Sequence, residues 1–184
     1  MVHGCVCPWQ GGPILASSLR KLLHDPARIV GPYLSNGMTA MDIGSAMGFF
    51  TIPMAGMVGA QGKVIAVDLQ AEMLEGLQKN AQKAGAGNIV CHQCGCDSLN
   101  VGQWGESVDF VLVFMMLHEV PDPGRLIREA YGAAAPGGKL LFAEPVAHVG
   151  RQQYLRSVDM IQQAGFKAVG SPKIHMCRST VFQK

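Results

Sequence analysis

Asp42, Gly44 and Gly48 fall within seven positions of "MDIGSAMGFF", an acid beside two residues that let the backbone turn tightly and approach a ligand closely. Asp68 follows in "VIAVDL", where a carboxylate can accept hydrogen bonds from a pair of adjacent hydroxyls, as on a ribose. His118 and Glu119 stand together in "MMLHEV", and Glu144 sits in "LFAEP". Imidazole exchanges protons near neutral pH, so His118 is a candidate for removing a proton or for orienting an incoming nucleophile, with Glu144 in a similar role. Glu119 is expected to point away, towards a helix N-terminus or solvent.

Six cysteines are few for a disulfide framework in 184 residues and read as reduced thiols. Cys91 and Cys94 have the C-x-x-C separation with Cys96 close behind, but alternation along a strand sends the first two to opposite faces. A single such pair is weak evidence for zinc, so these are expected to be small buried hydrophobes, with no metal site. In "HGCVCPW" nothing about a core requires Cys5 and Cys7. In open α/β folds of the kind this sequence predicts, the N-terminal segment commonly covers the active-site mouth, which makes His3, Cys5, Cys7 and Trp9 candidates for a lid whose thiols would suit a soft acceptor, or for a strip anchored by Trp9 alone.

These residues need elements to place them. "MTAMDIG", "KVIAVDL", "NIVCHQC", "VDFVLVFMML" and "KLLFAEP" are short apolar runs that predict buried strands over 38–44, 63–69, 88–94, 108–117 and 139–145. Helical patterns follow the first, second and fourth. Met73, Leu74, Leu77 and Ala81 form one face of the second, while Pro123 and Gly137-Gly138 bracket the third. Such alternation predicts an α/β doubly wound, mostly parallel seven-stranded sheet in three α/β/α layers. A helix from about Arg151 to Ala164 and two short strands, an antiparallel C-terminal pair, close it. One or two helices over 14–35, interrupted at Asp25-Pro26, precede it. The whole of 1–184 is expected to be one domain: lid and helices to 36, a cofactor-binding core over 37–145, and the closing helix and strand pair over 146–184.

Ligands of an open parallel sheet bind beyond the carboxyl ends of its strands. A dinucleotide site would want G-x-G-x-x-G after the first strand, whereas this chain offers Gly44, Ala46 and Phe49. A phenylalanine where helix and strand must pack closely argues against a nicotinamide cofactor.

Taken together, "MDIGSAMGFFT", "VIAVDLQAEML", "CGCDSL" and "VDFVLVFMMLHEVPDPGRLIREAYGAAAPGGKLLFAEP" resemble the class I S-adenosylmethionine-dependent methyltransferases over residues 38–145, and more loosely in the tail. The resemblance implies a Rossmann-like methyltransferase fold and S-adenosyl-L-methionine as cofactor. It implies that Asp42, Gly44 and Gly48 line the methionine and sulfonium end, with Ser45 where the family often has a cysteine or an acid. Asp68 would hold the ribose hydroxyls, Leu69 would flank the adenine, Asp97 would face its amino group with Ser98 beside it, and Phe114 and Met115 would sit near the methyl group. The family's usual glycine at 46 is alanine here, tolerated at little cost if its φ stays negative.

Methyl transfer of this kind is an in-line displacement, for which the protein must position, desolvate and sometimes deprotonate the acceptor. The motifs that mark methylation of exocyclic base amines or of pyrimidine C5 are missing after the fourth strand, and no recognition insert interrupts the frame. A small-molecule acceptor is expected. The alternatives are a non-catalytic S-adenosylmethionine-binding module or partner-dependent subunit, and, further off, a nicotinamide-dependent reductase.

A net charge of +2 with fifteen scattered Lys and Arg gives no electrostatic footprint for nucleic acid. Residues 43–60 form an uncharged run of eighteen, but Gly44, Gly48 and Pro53 divide it into a turn and a core helix rather than a membrane span. No basic-then-apolar leader is read at the start, so a cytoplasmic location is expected, with no membrane partner. A homodimer stays open.

Overall fold

The computed structural model describes residues 23–184. Seven strands, β1 (Thr39–Ile43), β2 (Lys63–Asp68), β3 (Ile89–Gln93), β4 (Val108–Phe114), β5 (Ala134–Pro145), β6 (Lys167–Gly170) and β7 (Cys177–Gln183), form one sheet. Their order is β3-β2-β1-β4-β5-β7-β6. The first five are parallel, and β7 slots antiparallel between β5 and β6. The helices are α1 (Pro26–Val30), α2 (Thr51–Val58), α3 (Ala71–Lys83), α4 (Pro123–Ala133) and α5 (Arg151–Gln163).

Helices on both faces explain why the central strands are apolar without alternation. Met41, Ile43, Ile65, Val67, Val111 and Val113 point to the side covered by Leu126, Ile127 and Ala130 of α4 and Ile161 of α5. Ala40, Val64, Phe110 and Leu112 point to the other, under Met54, Ala55 and Val58 of α2 and Val30 of α1. Ala66 meets the predicted face of α3 at Leu77 and Ala81. Capping agrees with the sequence: Asp25 accepts from the Ala27 N–H at the start of α1, and Asp122 from the Arg125 N–H at the start of α4.

The uncharged run over 43–60 resolves into the end of β1, a turn and the eight-residue α2. Among the described residues no helix is long and apolar enough to cross a membrane. Two boundaries move. β4 stops at Phe114 instead of continuing to 117, because Met115 takes φ +57 and a 3-10 turn follows over Leu117–Glu119. β5 starts at Ala134, five residues before the apolar run, and rejoins its neighbour through an irregular register between Val108 and Phe110.

From β1 the chain winds outwards through β2 to β3, then returns to β4 on the opposite side of β1. This reversal opens a crevice beyond the carboxyl ends of β1 and β4.

Candidate active site

A cavity of about 530 Å³ occupies that crevice, and its wall is built from the ends of β1, β2 and β4 and the loops that follow them. After β1, the N–H groups of Gly44 and Ser45 donate to the Val67 carbonyl at 2.9 and 3.1 Å, which bends the chain over the end of β2. Gly44 has φ +77, and a Cβ there would lie 3.0 Å from Met116 Cγ, so a side chain is excluded by conformation and by space. Asp42 is buried on the α2 side and accepts from Thr51 Oγ1 at 2.6 Å. Ser45 is also buried, and its Oγ in the cavity wall has no hydrogen-bond partner among the described residues.

Ala46 overturns one expectation. Its φ is +46, in the left-handed region that favours glycine, so the substitution carries strain of about 1 kcal/mol or more. The strained turn aims the Ala46 N–H at Asp68 Oδ2, 2.8 Å away, while the Gln70 N–H holds Oδ1 at 3.0 Å. Both Asp68 oxygens keep lone pairs for a ligand. Burial pushes the Asp68 carboxyl above its ordinary 3.8, against the opposing pull of these backbone bonds.

Gly48 does not reach the wall. With φ +92, its N–H turns back to the Ser45 carbonyl, and a Cβ would stand 3.1 Å from Ile52 Cδ1 and from Leu77 Cγ. It spaces α2 from α3 instead of lining the cavity. Phe49 does line it, buried and edge-on to Phe50 at 5.1 Å.

Beyond β2 and β3, Leu69, Asp97 and Ser98 border the same cavity, with Cys94 and Cys96. Cys96 Sγ donates to Asp97 Oδ1 at 3.1 Å, and this bond holds the exposed carboxyl below its usual range. Ser98 Oγ donates to Glu129 Oε2 at 3.0 Å, which ties the loop to α4. Burial first, then the Asp68 charge, pushes the Cys94 thiol up to about 11, so it is no ready nucleophile. Cys91 packs with the α3 cluster and Cys94 with the opposite face, as alternation requires. Among the described residues no group of three or more His, Cys, Asp or Glu could hold a metal ion.

Phe114 and Met115 border the opposite end. Here His118 meets Glu144: the His118 N–H donates to Oε1 at 3.0 Å and Nδ1–H to Oε2 at 2.7 Å. Glu144 is 1% exposed and lies behind the wall, so the cavity presents only His118. Burial pushes the Glu144 carboxyl above its ordinary value, opposed by the charge and hydrogen bonds of His118. Glu119 departs from expectation. The 3-10 turn brings its Oε1 to 3.9 Å from His118 Nε2, facing the cavity instead of leaving it.

The wall residues that were not anticipated include His24, His148 and Met176. His24 lies edge-on to Phe114 at 5.4 Å and meets the His175 carbonyl at 3.0 Å. His148 stands 6.0 Å from the His118 ring. His24 falls in a stretch expected to be helical, while His148 and Met176 come from loops with no periodicity to announce them. His3, Cys5, Cys7 and Trp9 lie outside the described residues.

The model of a methyltransferase domain matches residues 34–170, about three quarters of the chain and all of the crevice-forming strands. The chain belongs to this methyltransferase family. An arsenite methyltransferase of Aquipseudomonas alcaligenes is 31% identical over 124 residues, which cover 65% of this chain and 36% of that protein. A ubiquinone/menaquinone biosynthesis C-methyltransferase of Marinomonas sp. is 28% identical over 64% of this chain and 48% of its own length. The chain thus spans between a third and a half of these curated relatives. Among solved structures, an S-adenosylmethionine-dependent methyltransferase from Aquifex aeolicus shares the fold with a TM-score of 0.86 at 21% identity, covering 97% of this chain and 99% of that one.

The cavity of this methyltransferase domain suits its family's methyl donor on its own geometry. The side-chain-free approach at Gly44, the unpartnered Ser45 Oγ and the doubly braced Asp68 fit a ligand that brings polar groups to the first two strand ends.

Proposed function

We propose that this chain transfers the methyl group of S-adenosylmethionine to a small-molecule acceptor. The observation that carries this reading is the bracing of Asp68 by two backbone N–H groups in the wall of a cavity that ends at His118.

In this reading the Gly44–Ser45 turn and Asp42 receive the amino-acid end, Asp68 accepts from the ribose hydroxyls, and Leu69, Asp97 and Ser98 surround the adenine. When bound, the cofactor supplies an electrophilic methyl group on a sulfonium, so the chemical driving force comes with it. The chain orients the acceptor and excludes water: Phe114 and Met115 leave β4 beside the reacting region, and Leu126, Val120 and Met116 give the far end apolar walls. Gly44 and Ser45 are held rigidly by Val67, so little reorganisation accompanies binding.

Arsenite and quinone acceptors are named for the relatives, and both are small molecules. The described thiols of the cavity, Cys94 and Cys96, lie at the Asp97 end and away from His118. Cys177 Sγ stands 3.7 Å from Nε2 of the wall residue His24, and Met115, Met116 and Met176 bring thioethers to the wall.

Incubation with methyl-labelled S-adenosylmethionine and a fractionated cell extract tests the proposal. Label should pass to the small-molecule fraction. Label recovered only in protein or nucleic acid would contradict it.

A further inference from the structure

Resting on that reading, we infer that the acceptor is a neutral hydroxyl compound of the phenol or enol class, deprotonated by His118 Nε2 as it is methylated.

A single carboxylate, Glu144, receives both the backbone N–H and the ring Nδ1–H of His118, at 3.0 and 2.7 Å. Two bonds to one buried group fix the ring plane, and a carboxylate facing Nδ1 favours the tautomer with hydrogen there. With hydrogen on Nδ1, the lone pair lies on Nε2, at the cavity face. A histidine whose task was to donate a hydrogen bond to the acceptor would need the opposite tautomer. The Glu144 charge also stands ready to stabilise the imidazolium that forms on proton uptake, and its near-total burial keeps water from weakening that interaction.

A base is needed only if the acceptor brings a proton. Soft lone-pair nucleophiles such as trivalent arsenic or a thioether attack without losing one. The region beside His118 is walled by Phe114, Met116, Val120, Leu126 and Met176, with Glu119 and His148 as the polar groups nearest the imidazole. A neutral hydroxyl on an apolar body enters that region at low cost and becomes a strong nucleophile on deprotonation. The acceptor O–H bond breaks with its proton passing to Nε2. The oxygen pair forms the new bond to the methyl carbon while the carbon–sulfur pair of the donor stays on sulfur, and the charge of the resulting imidazolium is matched by Glu144. Glu119, 3.9 Å from Nε2 and a third exposed, can then carry the proton out to solvent.

The probe is 4-nitrophenol, whose ionised form is recognised by its absorbance. In the complex with S-adenosylhomocysteine, the wild-type protein should bind it and ionise it at a pH below its solution pKa. In His118→Gln and Glu144→Gln the ionised fraction should fall by about tenfold or more, while S-adenosylhomocysteine still binds and shows the variants folded. Nitrogen-15 NMR of the wild-type protein alone gives an independent reading: His118 should carry hydrogen on Nδ1 and none on Nε2. Failure of the phenol to bind, ionisation unchanged by His118→Gln, or hydrogen found on Nε2 overturns the inference. Loss of S-adenosylhomocysteine binding by the wild-type protein would instead overturn the cofactor reading on which it rests.

Discussion

His118 holds both oxygens of Glu144, one through its own backbone N–H and one through its ring, although twenty-six residues separate them in the chain. The contact joins the 3-10 turn after β4 to the end of β5, so it sets the loop and the imidazole with one buried charge. Glu144 is buried behind the cavity wall and meets it only through His118.

Residues that act as one unit lose function together. His118→Gln should reduce turnover by about 10²- to 10⁴-fold, the range for a lost proton-transfer group. Glu144→Gln should cause a comparable loss, and the double variant should be no worse than His118→Gln alone. Kinetics of the four proteins check this, and losses that multiply in the double variant would separate the two residues.

Ala46 holds a left-handed backbone to bring its N–H to Asp68. Ala46→Gly should relieve that strain and raise stability by about 0.5–1 kcal/mol, the gain being reduced by the greater freedom of glycine in the unfolded chain. Denaturant titration reads the change, and a destabilised variant would show that the alanine methyl contributes packing that outweighs the strain.

Gly48→Ala tests the distinction between a wall residue and a spacer. The new Cβ would press on Ile52 and Leu77 at a φ of +92, so stability should fall by about 1–3 kcal/mol. Affinity of the folded protein for S-adenosylhomocysteine should change less than threefold, by calorimetry below the unfolding transition. A selective loss of affinity with intact stability would return Gly48 to the cofactor site.

The buried Asp68 carboxyl titrates above its ordinary 3.8, and only its ionised form accepts from two hydroxyls with both oxygens. Affinity for S-adenosylhomocysteine should therefore hold at neutral pH and decline as pH falls through that raised value, sooner than for an ordinary aspartate. Asp68→Ala should weaken binding by about 1–3 kcal/mol and remove this acid dependence. A pH profile shared by wild type and variant would place the dependence elsewhere.

Most of the sheet was legible because buried parallel strands leave continuous apolar runs, as in "KVIAVD" of β2, and Asp68 was legible because it ends one of them. Strand ends were harder. Nothing in "FMML" marks Met115 as the residue that turns to positive φ, and the 3-10 turn that results is what swings Glu119 back to His118. The resemblance implies a cofactor contact for Gly48, whereas the structure has Ile52 of α2 and Leu77 of α3 converging on it from either side, a tertiary constraint that the local sequence does not encode. His24, His148 and Met176 reach the cavity from separate loops, and only the assembled fold brings them to one place.

The central claim is that this crevice is an S-adenosylmethionine site. Titration calorimetry of the full chain with S-adenosylhomocysteine, and in parallel with NADH, tests it most directly. One-to-one binding of S-adenosylhomocysteine, weakened in Asp68→Ala, and no heat with NADH are the expected results. Binding of NADH alone, or S-adenosylhomocysteine binding indifferent to Asp68, would contradict it.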